Sequence, residues 1–363
     1  MKHFLVSVML ATSLTFNAHA TTRPYGDAVV FTTVASQGYP NDMGFPEGLA
    51  VDGDYVYVGT PGTTRPTSGS VASKVKVYNR STGAFVRDIV ISGQNLSQEH
   101  NVAGMTFDTS GRLYVLETQQ GILRFTNNVT TQESYSSAFP NLPSCTLSIP
   151  PVSPCSPTLH DLAPLTNDLA FDEAGIAYVT DTNQATIWKV PAGGGAPQIW
   201  FQDARIGNLA AGPNGIRMNP ARTHLYFNTT LASTAAPSGV WRLPIVASPS
   251  AADLQLVHAY LPGEGPDGLA FGDSGRIYVA LAPINQISVL RANGTEKTRI
   301  IGPATTSGGT PFPFDGPANI VFLGNGSFLM TNSSNGPGNP LAFAVIDVFV
   351  NDNGATVYRP TLP

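Results

Sequence analysis

The stretch PDGLAFGDSGRIYVAL, residues 266–281, reads as a β-hairpin. A short apolar run is followed by Asp-Ser-Gly turn chemistry and a second run rich in Ile, Tyr and Val. Five other stretches repeat it: PEGLAVDGDYVYVGT from Pro46, VAGMTFDTSGRLYVLE from Val102, TNDLAFDEAGIAYVTD from Thr166, PNGIRMNPARTHLYFN from Pro213 and PANIVFLGNGSFLMTN from Pro317. The second residues of the copies are Glu47, Ala103, Asn167, Asn214, Asp267 and Ala318, separated by 56, 64, 47, 53 and 51 residues. A four-stranded propeller blade with its loops takes roughly this length.

A third strand follows most copies, as in SKVKVYN, GILRFT, ATIWKV, GVWRLP and QISVLRA, and no helical pattern intervenes. These features predict an all-β fold, a six-bladed β-propeller formed as one domain by residues 21–363. An open ring would leave an unpaired sheet edge. The extra strand AVVFTTVAS, from Ala28, is therefore expected to pair with the last blade, whose other strands come from FAVIDVFV and ATVYRP.

Composition agrees with many short strands and turns. Charged residues are only 12% of the 363, while Gly numbers 36 and Pro 30, which is unlike a helical bundle. The formal net charge is −5 with no Lys/Arg cluster, so no basic stripe exists to neutralise phosphates and nucleic acid is not an expected partner. Residues 1–20 have a short basic start, an apolar run and Ala18-His19-Ala20, the layout of a cleaved secretory signal peptide. No later segment reads as membrane-spanning, so a secreted or periplasmic location is expected. Cys145 and Cys155 lie close together in a Pro/Ser-rich insertion, residues 134–164, and are expected to pair in an oxidising compartment. If inner strands begin at one face of the ring, that insertion and the longer loops fall on the same face.

First strands line a propeller's central channel, so equivalent positions at their starts converge on the axis. Those positions carry Glu, Ala, Asn, Asn, Asp and Ala. Taken singly, Pro-Asn-Gly and Pro-Asp-Gly are ordinary turn sequences. Four oxygen-bearing side chains in one register form a more telling pattern. Glu47 and Asp267 bring two negative charges, Asn167 and Asn214 neutral oxygens, and neither His nor Cys is present. Hard oxygen donors of this kind select Ca²⁺ over zinc. Four side chains also leave coordination positions open to water or substrate.

These motifs resemble the SMP-30/gluconolactonase/LRE family and the related calcium-dependent propellers of the paraoxonase and diisopropyl-fluorophosphatase type. The resemblance rests on PEG at Glu47, TND at Asn167-Asp168, PNG at Asn214 and PDG at Asp267, and it runs through the repeats along the mature chain. It implies catalytic calcium held by Glu47, Asn167, Asn214 and Asp267, and hydrolysis of a small-molecule lactone or ester. Asp267 would then be the catalytic base or nucleophile. His100, two residues before the second repeat, would be a catalytic proton shuttle; Asp168 reads first as a solvated or turn residue, with a ligand role at a deeper structural calcium as the alternative. Asn319 sits one place past the ligand register. Sugar lactonases of this family carry an Arg two residues before the Asn-Asp pair, where this chain has Leu165, which points to a less polar substrate. Two other readings are a non-catalytic secreted propeller binding a protein or glycan and a strictosidine-synthase-like propeller. Neither accounts for an axial set of four oxygen donors.

Overall fold

All six repeat copies fold as the innermost hairpin of a separate sheet. Their first strands are Leu49–Asp52, Val102–Phe107, Thr166–Phe171, Pro213–Met218, Pro266–Phe271 and Pro317–Phe322. In the first five sheets the four strands pair in chain order, as a blade requires. The computed structural model describes residues 23–34, 44–60, 71–150, 152–209, 211–334 and 339–363. The signal segment, residues 1–20, lies outside the described residues.

The sixth blade is built from both ends of the chain. Its strand Ala344–Phe349 pairs antiparallel with Ala28–Thr33, so the N-terminal strand becomes the outer strand of the last blade. Two short strands, Ala304–Thr305 and Pro311–Phe312, extend this sheet further. The closure expected from the sequence is thus present. The expectation for ATVYRP is corrected, because among the described residues no strand of the last blade contains it. Pro360 has no amide proton to give to a ladder. The segment instead crosses the face where the hairpin turns lie, with Arg359 bonded to Asp52 and to the Val51 carbonyl.

Among the described residues the apolar core is divided rather than single. Apolar residues on one sheet pack on the next, which produces six separate clusters around the ring. Val75 and Val77 meet Phe107 and Leu113 between the first two blades. Leu49 and Val58 meet Leu329 and Val345 where the sixth blade meets the first. The period-2 alternation within each strand gives both faces an apolar set, so every sheet is covered on both sides.

Tight turns at the far end are fastened by carboxylates. Asp108 accepts from the Ser110 and Arg112 amides and from the Tyr114 hydroxyl. Asp172 does the same for Ala174, Ile176 and Tyr178. The fifth blade has Gly272 at this position, and Asp352 from the C-terminal segment supplies the missing carboxylate to Ser274 and Tyr278. A side chain at Gly272 would place its Cβ 2.2 Å from Asp352 Oδ2, so the two residues depend on each other.

Cys145 and Cys155 form a disulfide within the insertion. The insertion bonds to Gln184, after the second strand of the third blade, through Leu142 N and Ser156 Oγ. It also bonds to Asn208, before the first strand of the fourth, through Leu159 N. Both anchors are at the end of the ring where inner strands begin. No helix among the described residues is long and apolar enough to cross a membrane.

Candidate metal centre on the propeller axis

The first strands share a break in pairing that aims their leading residues inward. Register shifts separate Val102 from Met105, Thr166 from Leu169, Pro213 from Ile216, Pro266 from Leu269 and Pro317 from Ile320. Each break leaves two residues outside the ladder, such as Asn214-Gly215 or Asp267-Gly268. In the first blade pairing starts at Leu49, and Glu47 is held by its amide on the Gly59 carbonyl at 2.8 Å. The adjacent inner strands then approach closely: a Cβ on Gly268 would lie 2.4 Å from the Ala318 carbonyl oxygen.

Glu47, Asn214 and Asp267 are buried, while Asn167 is half-buried. Three carboxylates interact electrostatically: Glu47, Asp168 and Asp267. They belong to the first, third and fifth blades, and side chains from alternate blades of a six-membered ring meet only near its axis. Burial, then the Asp168 charge, pushes the Glu47 carboxyl well above the usual range. Burial, then Glu47 and Asp168, raises Asp267 well above the usual carboxylate range, against a hydrogen bond from Asn214. Like charges taken out of water resist ionisation together unless a cation joins them.

The free oxygens bear on whether a cation fits. Asn214 Nδ2 donates to Thr230 Oγ1 at 2.9 Å, which fixes the amide, and Asn214 Oδ1 is buried without a partner. Glu47 Oε2 is likewise buried and unpartnered. Orphaned oxygens of this kind are costly, and a hard cation would satisfy them. Among the described residues no group of three or more His, Cys, Asp and Glu side chains is arranged as a metal site. The candidate set reaches four donors only by counting amide oxygens.

The backbone beneath these residues is clamped by the preceding blade, a feature the sequence reading missed. Thr180 donates to the Asn214 carbonyl at 2.5 Å, Asn228 to that of Asp267 at 2.6 Å, and Thr331 to that of Glu47 at 3.0 Å. All three occupy the next-to-last position of a second strand. The corresponding residue before Asn167 is Leu116, which has no side-chain donor. A signal was therefore available in the repeat: polar residues at this position precede Asn214, Asp267 and Glu47, the three buried members.

His100 has a different setting. Its Nδ1 lies 3.0 Å from Ser73 Oγ, and Gln94 Nε2 reaches both Ser73 Oγ and Glu117 Oε1. Burial lowers the His100 pKa, and its Nε2 is buried without a partner. The structure thus joins His100 to Ser73 rather than to a carboxylate of the axial cluster.

Arg217 was also missed. Its guanidinium bonds to Asp168 Oδ2 and, through Nη2, to Asn319 Oδ1 at 2.9 Å. Beyond it, towards the hairpin turns, lies a cavity of about 310 Å³ lined by Ala50, Phe107, Phe171, Phe271 and Phe322 and covered by residues 354–359.

Known proteins share this architecture. Residues 160–319 match the SMP-30/Gluconolactonase/LRE-like region. No curated protein matches the chain. Regucalcin from Agrobacterium tumefaciens, described as a calcium-binding protein, superposes with a TM-score of 0.59 at 14% identity, covering 92% of this chain and 99% of its own. A gluconolactonase from Xanthomonas campestris gives 0.55 at 14%, with 91% and 99% covered. Virginiamycin B lyase from Staphylococcus aureus gives 0.53 at 14%, with 89% and 98% covered. At such identities the likeness is one of fold, and these neighbours include both a lactonase and a lyase, so the reaction must be argued from the site. The chain folds as a six-bladed propeller, and its residues 160–319 match the SMP-30/Gluconolactonase/LRE-like region.

Proposed function

We propose that this protein is a secreted or periplasmic calcium-dependent hydrolase of lactones or related esters. Glu47, Asn167, Asn214 and Asp267 would hold the ion. The observation that carries the reading is the axial pair of buried, unpartnered oxygens, Glu47 Oε2 and Asn214 Oδ1, beside carboxylates that disfavour one another's ionisation. Bound there, calcium supplies a Lewis acid that polarises a substrate carbonyl.

The chain's own groups do the rest. Asp267 accepts a proton from the attacking water as the new C–O bond forms, and returns it to the alkoxide released when the ester bond breaks. Asn214, bonded to Asp267, orients that carboxylate. Glu47 serves to hold the ion. Leu165, two residues before Asn167, is fixed by its amide on Asp181 Oδ1 and its carbonyl on the Thr182 amide. An apolar side chain there favours a lactone or ester less polar than a sugar lactone. Export is supported by the Cys145–Cys155 disulfide and by the signal-like residues 1–20.

The test is a panel of aliphatic lactones, sugar lactones, aryl esters and phosphotriesters, each assayed with calcium and with EDTA. Hydrolysis of an apolar lactone or ester, lost on chelation and restored by calcium, is the expected result. Turnover indifferent to EDTA would exclude the metal role. Calcium binding without turnover of any member would favour a propeller that binds a protein or glycan.

A further inference from the structure

The geometry points to Arg217 as a built-in cation that takes the place of a second metal ion deeper in the channel, so that the propeller binds a single divalent ion. This inference rests on the calcium reading above but concerns a different layer of the channel. Descending one residue from the axial donors gives Gly48, Gly104, Asp168, Gly215, Gly268 and Asn319. Four positions have no side chain, and the two that do, Asp168 and Asn319, belong to the third and sixth blades, opposite each other in the ring. Two residues further along come Ala50, Thr106, Ala170, Arg217, Ala270 and Val321. Five of these are small or apolar, and they leave room for one long side chain.

Arg217 fills that room. From the fourth blade it bonds to Asp168 in the third and crosses the channel to Asn319 Oδ1 in the sixth at 2.9 Å. It also donates to the Ile216 carbonyl at 2.7 Å. Asp168 further accepts from the Ile216 and Leu169 amides at 3.2 and 2.9 Å, so its oxygens are already engaged. Oxygens from opposite blades, one charged and one neutral, are what a hard cation would otherwise bridge. Three carboxylates with one guanidinium leave two negative charges for the upper layer, the charge of one divalent ion. The guanidinium is thereby a positioning group: it fixes Asp168 beneath Glu47 and Asp267 without touching substrate.

The experiment is the calcium stoichiometry of the full chain by calorimetry, with terbium emission as a second readout, for the wild type, Arg217→Met, Arg217→Lys and the double variant Asp168→Asn/Arg217→Met. One ion in the wild type and in Arg217→Lys, two in Arg217→Met and one again in the double variant is the expected result. A folded Arg217→Met protein that still binds one ion with wild-type affinity would overturn the role of Arg217 while leaving the axial site intact. Two ions in the wild type would overturn it without any variant, should Arg217→Met fail to fold. No ion in the wild type would overturn the axial reading and this inference with it.

Discussion

Asp267 and Glu47 carry opposite demands in the absence and presence of a cation. Each carboxyl is raised first by burial, then Glu47 by the Asp168 charge and Asp267 by Glu47 and Asp168. A carboxyl whose folded pKa exceeds its unfolded value adds stability below the unfolded pKa, and that stability is lost as pH rises through the folded value. The metal-free protein should therefore lose stability between about pH 5 and 8, and calcium should restore more of it at the upper end. Calcium binding should release protons, its affinity rising by up to about tenfold per pH unit for each proton released. Thermal unfolding with EDTA and with calcium across that range checks the sign; an affinity flat with pH would contradict it. Replacing Asp267 by Asn should lower turnover by about 100-fold or more with the fold retained, since a general base is worth roughly that much. Glu47→Gln should weaken calcium first and turnover as a consequence, so excess calcium should rescue Glu47→Gln but not Asp267→Asn.

Among the strands and turns, second strands hold the site and turns hold the ring. Thr331 ties the Glu47 carbonyl across the junction between the last blade and the first, and it also accepts from the Asn319 amide at 2.8 Å. Thr331→Val should cost about 2 kcal/mol of stability, because a buried amide and a buried carbonyl lose their partner, and it should weaken calcium as Glu47 shifts. Asp352→Ala removes the partner of the Ser274 amide and the Tyr278 hydroxyl at the opposite end. A loss of about 2–3 kcal/mol in denaturant unfolding is expected there, with calcium affinity unchanged. Comparing the two variants separates general destabilisation from damage to the site. The hairpins themselves were legible, because two apolar runs around Asp-Gly chemistry have few other readings. The strand Gly239–Pro244 and its counterparts were legible for the same reason. ATVYRP was not, because six residues with β-branched character read as a strand until their partner edge is known to be filled. Here that edge is taken by Ala28–Thr33.

Closure makes six weakly independent sheets into one ring. Removing residues 23–33 would expose the edge of Ala344–Phe349 and take Ala28 and Val30 out of the apolar cluster between the fifth and last blades. The expected result is a lower melting temperature and association through the open edge, measured by calorimetry and light scattering. A truncated chain as stable and as monomeric as the full one would mean that the strand contributes little to closure. The repeat alone established the number of blades, the inner hairpin of each and which positions are equivalent from copy to copy, because these follow from periodicity and from the two-residue alternation of strands. It could not establish which of those residues are sealed from water, nor that Arg217 crosses the channel to Asp168 and Asn319. Nor did it reveal that Thr180, Asn228 and Thr331 clamp the strands of their neighbours. Those contacts join blades far apart in the chain, and only the closed ring brings them within hydrogen-bonding distance.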